Sequence, residues 1–192
     1  MLHREWCEPC GKVTPQTARR GCKLCLASVR RSIRKAKAKG LGSNVARYGD
    51  VLKIADDLWS VWVRASHDGC EMCEKPLDPV LLQCAHGYSR EDRIIRFDPD
   101  NTFALCSACH RRHTPSRQPW YDWMRARLGD RYGRLEMASR TGGKVRHSHL
   151  EVVILDAEQR IASLPAGPRR DWALERAAKI GERMVRLGVR AA

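Results

Sequence analysis

The chain is predicted to adopt an α+β fold, in which a small metal-stabilised core of two strands, a turn and a helix follows a cysteine-rich ribbon and precedes a run of helices. Three observations carry this prediction. Eight of the nine cysteines fall into four Cys-x-x-Cys pairs, Cys7/Cys10, Cys22/Cys25, Cys70/Cys73 and Cys106/Cys109. Between the last two pairs, "VLLQCAHGY" suits a short strand, "DPDN" a turn, and "TFALC" a strand leading into the final pair. Most of the remaining chain repeats apolar residues at three- and four-residue steps, the period of an amphipathic helix.

The cysteine spacing carries the most chemistry. A Cys-x-x-Cys turn brings two thiolates to one side of a tight knuckle, and two knuckles complete the tetrahedral sulfur shell that Zn2+ accepts. The segment "MLHREWCEPC" has no apolar run of the secretory kind, so a reducing cytoplasmic setting is expected and a disulfide framework is disfavoured. Two structural zinc sites follow as an expectation: Cys7, Cys10, Cys22 and Cys25 for the first, Cys70, Cys73, Cys106 and Cys109 for the second. Redox pairs or buried free thiols are the alternative. Cys84 is left over and reads as a buried core thiol.

Charge points to the partner. With 36 Lys and Arg against 22 Asp and Glu, the formal net charge is +14, more than solubility requires, and nucleic acid is the expected polyanion. No apolar run approaches the roughly 18 residues of a membrane span. Residues 1–48 hold twelve Lys and Arg against two Glu. Within them "CEPCGKVTPQTARRGCKLC" is too short and too rich in Gly, Pro and Thr to build a core without metal, and reads as a zinc ribbon. The following "LASVRRSIRKAKAKG" places Leu26, Val29, Ile33 and Ala36 on one stripe among basic residues, a helix that ends at Gly40. Arg30, Arg31, Arg34 and Lys35 on it are candidate DNA contacts, unless the helix is an ordinary solvated surface.

Four regions result: a ribbon and basic helix over 1–40, a linker over 41–49, a zinc-pinned domain over 50–145 and a helical extension over 146–192. Asp50 is expected to cap a helix running to about Arg64, with Trp59 and Trp62 on its apolar stripe. Two short helices broken near Gly129 follow the last cysteine pair. "SHLEVVILDAEQRIASL" reads as a further helix, although "EVVIL" also suits a strand. The last helix mixes Trp172, Leu174, Ala178, Ile180 and Met184 with charge, and is expected to pack on the domain or on a second copy in a homodimer.

Between Cys73 and Cys106 lie His86 and Asn101, and "SACHRRHT" opens a helix with His110 and His113 three residues apart. Singly, each has an ordinary reading: a strand histidine bonded to backbone, a turn asparagine, a helix N-terminal histidine. Together, "GCEMC", "CAHGYSR", "RFDPDN" and "ALCSACH" resemble the zinc-pinned, treble-clef (ββα-metal) form of the HNH nucleases, which includes the phage endonuclease VII type, and are most similar to the phage NinG (Rap) recombination nucleases. The likeness runs from about Leu58 to Leu164, and a weaker one likens the N-terminal ribbon to an extra zinc module of phage proteins.

The resemblance implies a DNA endonuclease of phage recombination or replication, acting in the host cytoplasm, on branched DNA by the NinG likeness alone, and leaving 5′-phosphate and 3′-hydroxyl ends. It places His86 as general base, Asn101 as the residue that orients that base or ligates a catalytic ion, and His110 as a ligand of that ion, Mg2+ or Mn2+, with His113 the next ligand candidate. Neutral imidazole has the pKa for such work near pH 7. Arg90, Arg93 and Arg96 share the loop and are expected to clamp phosphates. Where many HNH enzymes carry an acidic ligand directly before the base, this chain has Ala85, which binds no metal. That substitution keeps a second reading open, a non-catalytic zinc-containing DNA-binding accessory protein.

Overall fold

The structure, a computed structural model, describes residues 46–113, 117–141, 143 and 145–189, together with the backbone of three short strands nearer the start of the chain. The chain divides into two compact units, Met1–Val45 and Ala46–Ala192. In the first, strands β1 (Arg4–Cys7), β2 (Lys12–Thr17) and β3 (Gly21–Cys22) form an antiparallel sheet in that order, with Cys7 opposite Lys12 and Cys22 opposite Gln16. Cys10 and Cys25, the side chains of Cys7 and Cys22, and the basic stretch with Arg30, Arg31, Arg34 and Lys35 lie outside the described residues.

The second unit is organised around helix α1 (Tyr48–Ala65), whose Val51, Ile54, Ala55, Leu58, Trp59 and Val61 are all buried. Spacing of three and four residues puts these side chains on one stripe, and each large one contributes about 1.5–3 kcal/mol on burial. The helix starts three residues earlier than a cap at Asp50 implies. Arg47 occupies the cap position without a side-chain cap, and Asp50 lies in the first turn, where its carboxylate meets the positive end of the helix dipole. Trp59 belongs to the core, as its place on the apolar stripe implies. It is 2% exposed, its indole N–H donates to Thr102 Oγ1 at 3.2 Å, and Trp62 meets it edge-on at 4.8 Å.

Strands β4 (Leu82–His86) and β5 (Thr102–Cys106) pair antiparallel, with Leu82 opposite Cys106, Ala85 opposite Phe103 and His86 opposite Thr102. Single 3-10 turns, Pro79–Leu81 and Pro99–Asn101, lead into each strand. Thr102 to Leu105 are buried without alternation, as a strand covered on both faces requires. Helix α2 (Ser107–His113) follows directly, then α3 (Arg117–Leu128) and α4 (Asp130–Thr141), separated by Gly129 at φ 55°, a left-handed turn that glycine adopts without strain.

Helices α5 (His147–Ala162) and α6 (Pro168–Arg186) both pack against α1. "EVVIL" is therefore helical, because Leu150, Ile154, Ala157 and Ile161 must all reach the same core. On α6 the buried residues are Ala173 and Met184, while Leu174 is 41% exposed, so the apolar stripe is narrower than the sequence suggested. At the start of α6 the Arg169 guanidinium donates to the carbonyls of His67 and Leu77 and pairs with Asp68 at 3.2 Å. One side chain thus ties the last helix to the loop that carries the first described cysteine pair. Among the described residues no helix is long and apolar enough to cross a membrane.

Candidate functional site

The loop after α1 folds into a knuckle at Cys70 to Glu74. Cys70 N–H donates to the Lys75 carbonyl at 3.0 Å, Glu74 N–H returns to the Cys70 carbonyl at 2.8 Å, and Glu74 takes the left-handed φ of 57° that closes the turn. Gly69 is demanded by this geometry, since a Cβ there would sit 2.2 Å from the Lys75 carbonyl oxygen. The second knuckle spans the end of β5 and the start of α2, where Cys109 N–H points at Cys106 Sγ from 3.4 Å. Glu71 binds the two knuckles together. Its N–H donates to the Ala104 carbonyl at 2.9 Å, its Oε1 accepts from Ala104 N–H at 2.7 Å, and Arg127 pairs with its Oε2 at 2.9 Å.

This brings the sulfurs of Cys70, Cys73, Cys106 and Cys109 within 4.8 Å of one another, with Cys73 and Cys106 at 4.0 Å. Zinc–thiolate bonds of about 2.3 Å in a tetrahedron place sulfurs about 3.8 Å apart, so these four cysteines could hold a metal ion such as zinc. The Cys109 backbone N–H holds the Cys106 thiol down to about 7, in the direction a thiolate ligand needs. Among the described residues this is the only group of three or more His, Cys, Asp or Glu side chains close enough to hold a metal.

His86 ends β4. Its Nε2 lies 3.1 Å from the Arg96 carbonyl, and its Nδ1 is buried without a hydrogen-bond partner. A carbonyl only accepts, so Nε2 carries the proton and Nδ1 keeps its lone pair. Burial, then the charge of Arg90, lowers the imidazole pKa to about 4, so the ring is neutral at pH 7. Asn101, 0% exposed, organises the loop that follows. Its Oδ1 accepts from Tyr88 N–H at 2.7 Å, its Nδ2 donates to the Ile95 carbonyl at 2.9 Å, and its carbonyl accepts from Gly87 N–H at 2.8 Å. From α3, Trp120 Nε1 donates to the Gly87 carbonyl at 2.9 Å, and Tyr121 stacks on Tyr88 at 5.5 Å. The backbone beside His86 is thereby held from both sides.

His110, on α2, reaches back to β4, its Nδ1 2.6 Å from Gln83 Oε1. Burial and then Arg90 lower its pKa as well. The exposed Arg90 is the common cationic neighbour of His86, His110 and Cys84. Arg93 is exposed and lies 5.9 Å from the centroid of the Tyr48 ring. Arg96 is not available as a phosphate clamp. Its Nε and Nη2 make a forked pair with Asp56 of α1 at 2.8 and 2.6 Å, its Nη1 donates to the Arg90 carbonyl at 2.9 Å, and its side chain is 14% exposed. Cys84, expected as a buried core thiol, is half-buried, and burial pushes its thiol up to about 12.

Among the described residues the catalytic ion implied by the resemblance finds no matching donor set. Asn101 has no exposed atom, Ala85 is 0% exposed, and His110 Nδ1 already faces Gln83. The side chain of His113 lies outside the described residues. Comparison of the chain with protein-family models, with curated proteins and with solved structures returned no match in any of the three.

Sequence reasoning missed Asp56, Glu71, Gln83, Tyr88 and Trp120, each of which positions part of this site. Only Glu71, enclosed within a cysteine pair, carried a local signal. The other four act across separations of 13 to 40 residues that no periodicity links.

Proposed function

We propose that the chain is a zinc-pinned DNA endonuclease of HNH type, with Cys70, Cys73, Cys106 and Cys109 holding a structural Zn2+ and His86 serving as general base. The observation that carries this reading is the fixed tautomer of His86. A general base needs a lone pair on a defined atom, and the Arg96 carbonyl leaves that lone pair on Nδ1. Water attacks the phosphorus, its proton passes to Nδ1, the P–O3′ bond breaks, and the 3′ oxygen takes a proton from solvent. Arg90, the exposed cation whose charge acts most strongly on His86, supports the step by neutralising a phosphoryl oxygen. A pKa of about 4 makes a weak base at neutral pH. A phosphate bound against Arg90 offsets that cation and raises His86 toward the working range, and its arrival must also displace whatever covers Nδ1.

The test is incubation of the full chain with linear and branched DNA in Mg2+ or Mn2+, beside His86→Ala and His86→Gln variants of matched melting temperature. Cleavage by the wild type that both variants lose is the expected result. Equal cleavage by the variants refutes the assignment.

A second reading, a zinc-containing DNA-binding protein without cleavage, is favoured by the missing donor set around Ala85 and Asn101. It predicts salt-sensitive binding and no nicking with any divalent ion.

A further inference from the structure

Where α6 lies along α1, a cleft of about 340 Å3 opens that shares no lining residue with the cysteine cluster or the His86 loop. That volume is at the low end of ligand pockets, about 300–1,000 Å3, but the lining is cationic rather than apolar. Arg64, Arg176, Lys179 and Arg183 face a single carboxylate, Asp57. Asp57 is already engaged by Arg183 at 2.5 Å and by Lys53 at 3.8 Å. Lys179 pairs with Glu175 at 2.5 Å, but both side chains are more than half exposed, where such pairs contribute little.

Arg64 and Arg176 lie 4.8 and 5.9 Å from the centroid of the Trp172 ring, and neither has a carboxylate partner among the described residues. Burial, then the like charge of Arg176, lowers the pKa of Arg64. The indole N–H of Trp172, on the same wall, is buried without an acceptor. Arg64 Nε donates to the Pro79 carbonyl at 2.8 Å, which satisfies one donor and leaves the charge without a counter-ion. Like charges without a carboxylate partner and an unmatched donor in one cleft are both relieved by an anion.

The arrangement also selects the kind of anion. Trp172, Arg176, Lys179 and Arg183 follow one another at steps of four, three and four residues, a single stripe of α6. From Arg176 to Arg183 the stripe runs about 10 Å at 1.5 Å per residue, longer than a single phosphate group spans. Charges in line suit a linear polyanion better than one compact ion.

We propose that this cleft is a phosphate-binding groove that seats successive backbone phosphates of a nucleic-acid strand, at a place separate from His86. It rests on the nucleic-acid part of the function proposed above and does not require cleavage.

The test is fluorescence anisotropy of a labelled single-stranded oligonucleotide with the full chain, over a salt series, comparing wild type with the double variant Arg176→Gln/Lys179→Gln. Both side chains are exposed, and metal content and melting temperature verify that the fold is kept. Affinity is expected to fall on the order of tenfold, with a log–log salt slope shallower by about 1–2. Oligonucleotide-induced quenching of tryptophan fluorescence should shrink in Trp172→Phe. Unchanged affinity and slope in the double variant overturn the groove. So does equal competition by inorganic phosphate or by an acidic peptide, since the site would then read a single anion or a protein. Wild type that binds and cleaves DNA while the double variant matches it removes the groove alone. Wild type that binds no oligonucleotide removes both the groove and the proposed function.

Discussion

Replacing Asn101 with Ala should destabilise the second unit through the two backbone groups its amide now satisfies. Tyr88 N–H loses its acceptor at 2.7 Å and the Ile95 carbonyl loses its donor at 2.9 Å, both against a side chain with no solvent exposure. A buried polar group left without a partner costs about 1–3 kcal/mol, so the pair costs about 2–6 kcal/mol. At about 2–4 °C per kcal/mol for a domain of this size, the melting temperature should drop by about 4–24 °C. Thermal and urea unfolding followed by circular dichroism measure both quantities. Asn101→Asp separates the two bonds, because a carboxylate still accepts from Tyr88 but repels the Ile95 carbonyl until it is protonated. Measured against wild type at the same pH, that variant should recover part of its lost stability as the medium is acidified. A loss below about 1 kcal/mol in Asn101→Ala, or an Asp variant whose deficit relative to wild type at the same pH grows in acid, would refute the role of this amide.

Three further outcomes are expected. His86 has a folded-state pKa of about 4 against an ordinary 6.5, so the unfolded chain binds more protons between those values. Its stabilising contribution is full above pH 6.5 and disappears as pH falls toward 4, a loss of about 3 kcal/mol. Urea midpoints at pH 7 and pH 4.5 should differ by less in His86→Gln. Removing metal with a strong chelator, or substituting Cys70→Ser, should unfold the two knuckles and release one equivalent of zinc from this cluster, read by elemental analysis and by loss of near-ultraviolet dichroism. Arg96→Gln should lower stability with little change in the salt dependence of DNA binding, because its fork belongs to Asp56. Arg90→Gln should do the reverse and raise the pKa of His86, which NMR titration of the ring protons measures.

What could be read in the sequence was local. Cysteine spacing located both knuckles of the Cys70/Cys73/Cys106/Cys109 set, and the runs around "DPDN" marked β4 and β5, because both signals lie within a few residues of one another. The break at Gly129 was legible for the same reason. Arg96 was misjudged because its partner is forty residues upstream on α1, and a guanidinium in a loop reads the same whether a carboxylate or solvent faces it. "EVVIL" stayed ambiguous until α1 supplied the surface it packs against. The α6 stripe is narrower than its sequence reads because Leu174 contributes apolar character at a position facing solvent. The basic cleft was invisible in the sequence, since Arg64 and Arg183 meet only after the helices pair.

Glu71 and the four sulfurs have a topological consequence as well. Cys73 and Cys106 stand 33 residues apart, and an ion across them turns the intervening chain into a closed ring. A protease that cuts this ring once, in the exposed stretch Ser89–Arg90–Glu91, opens it without freeing either piece, because each fragment keeps two sulfurs on the shared ion. Such a nicked molecule would elute as a single species, held by the shared ion as well as by the packing of α1 against α5 and α6, and stripping the ion would lower the denaturant needed to part the two polypeptides.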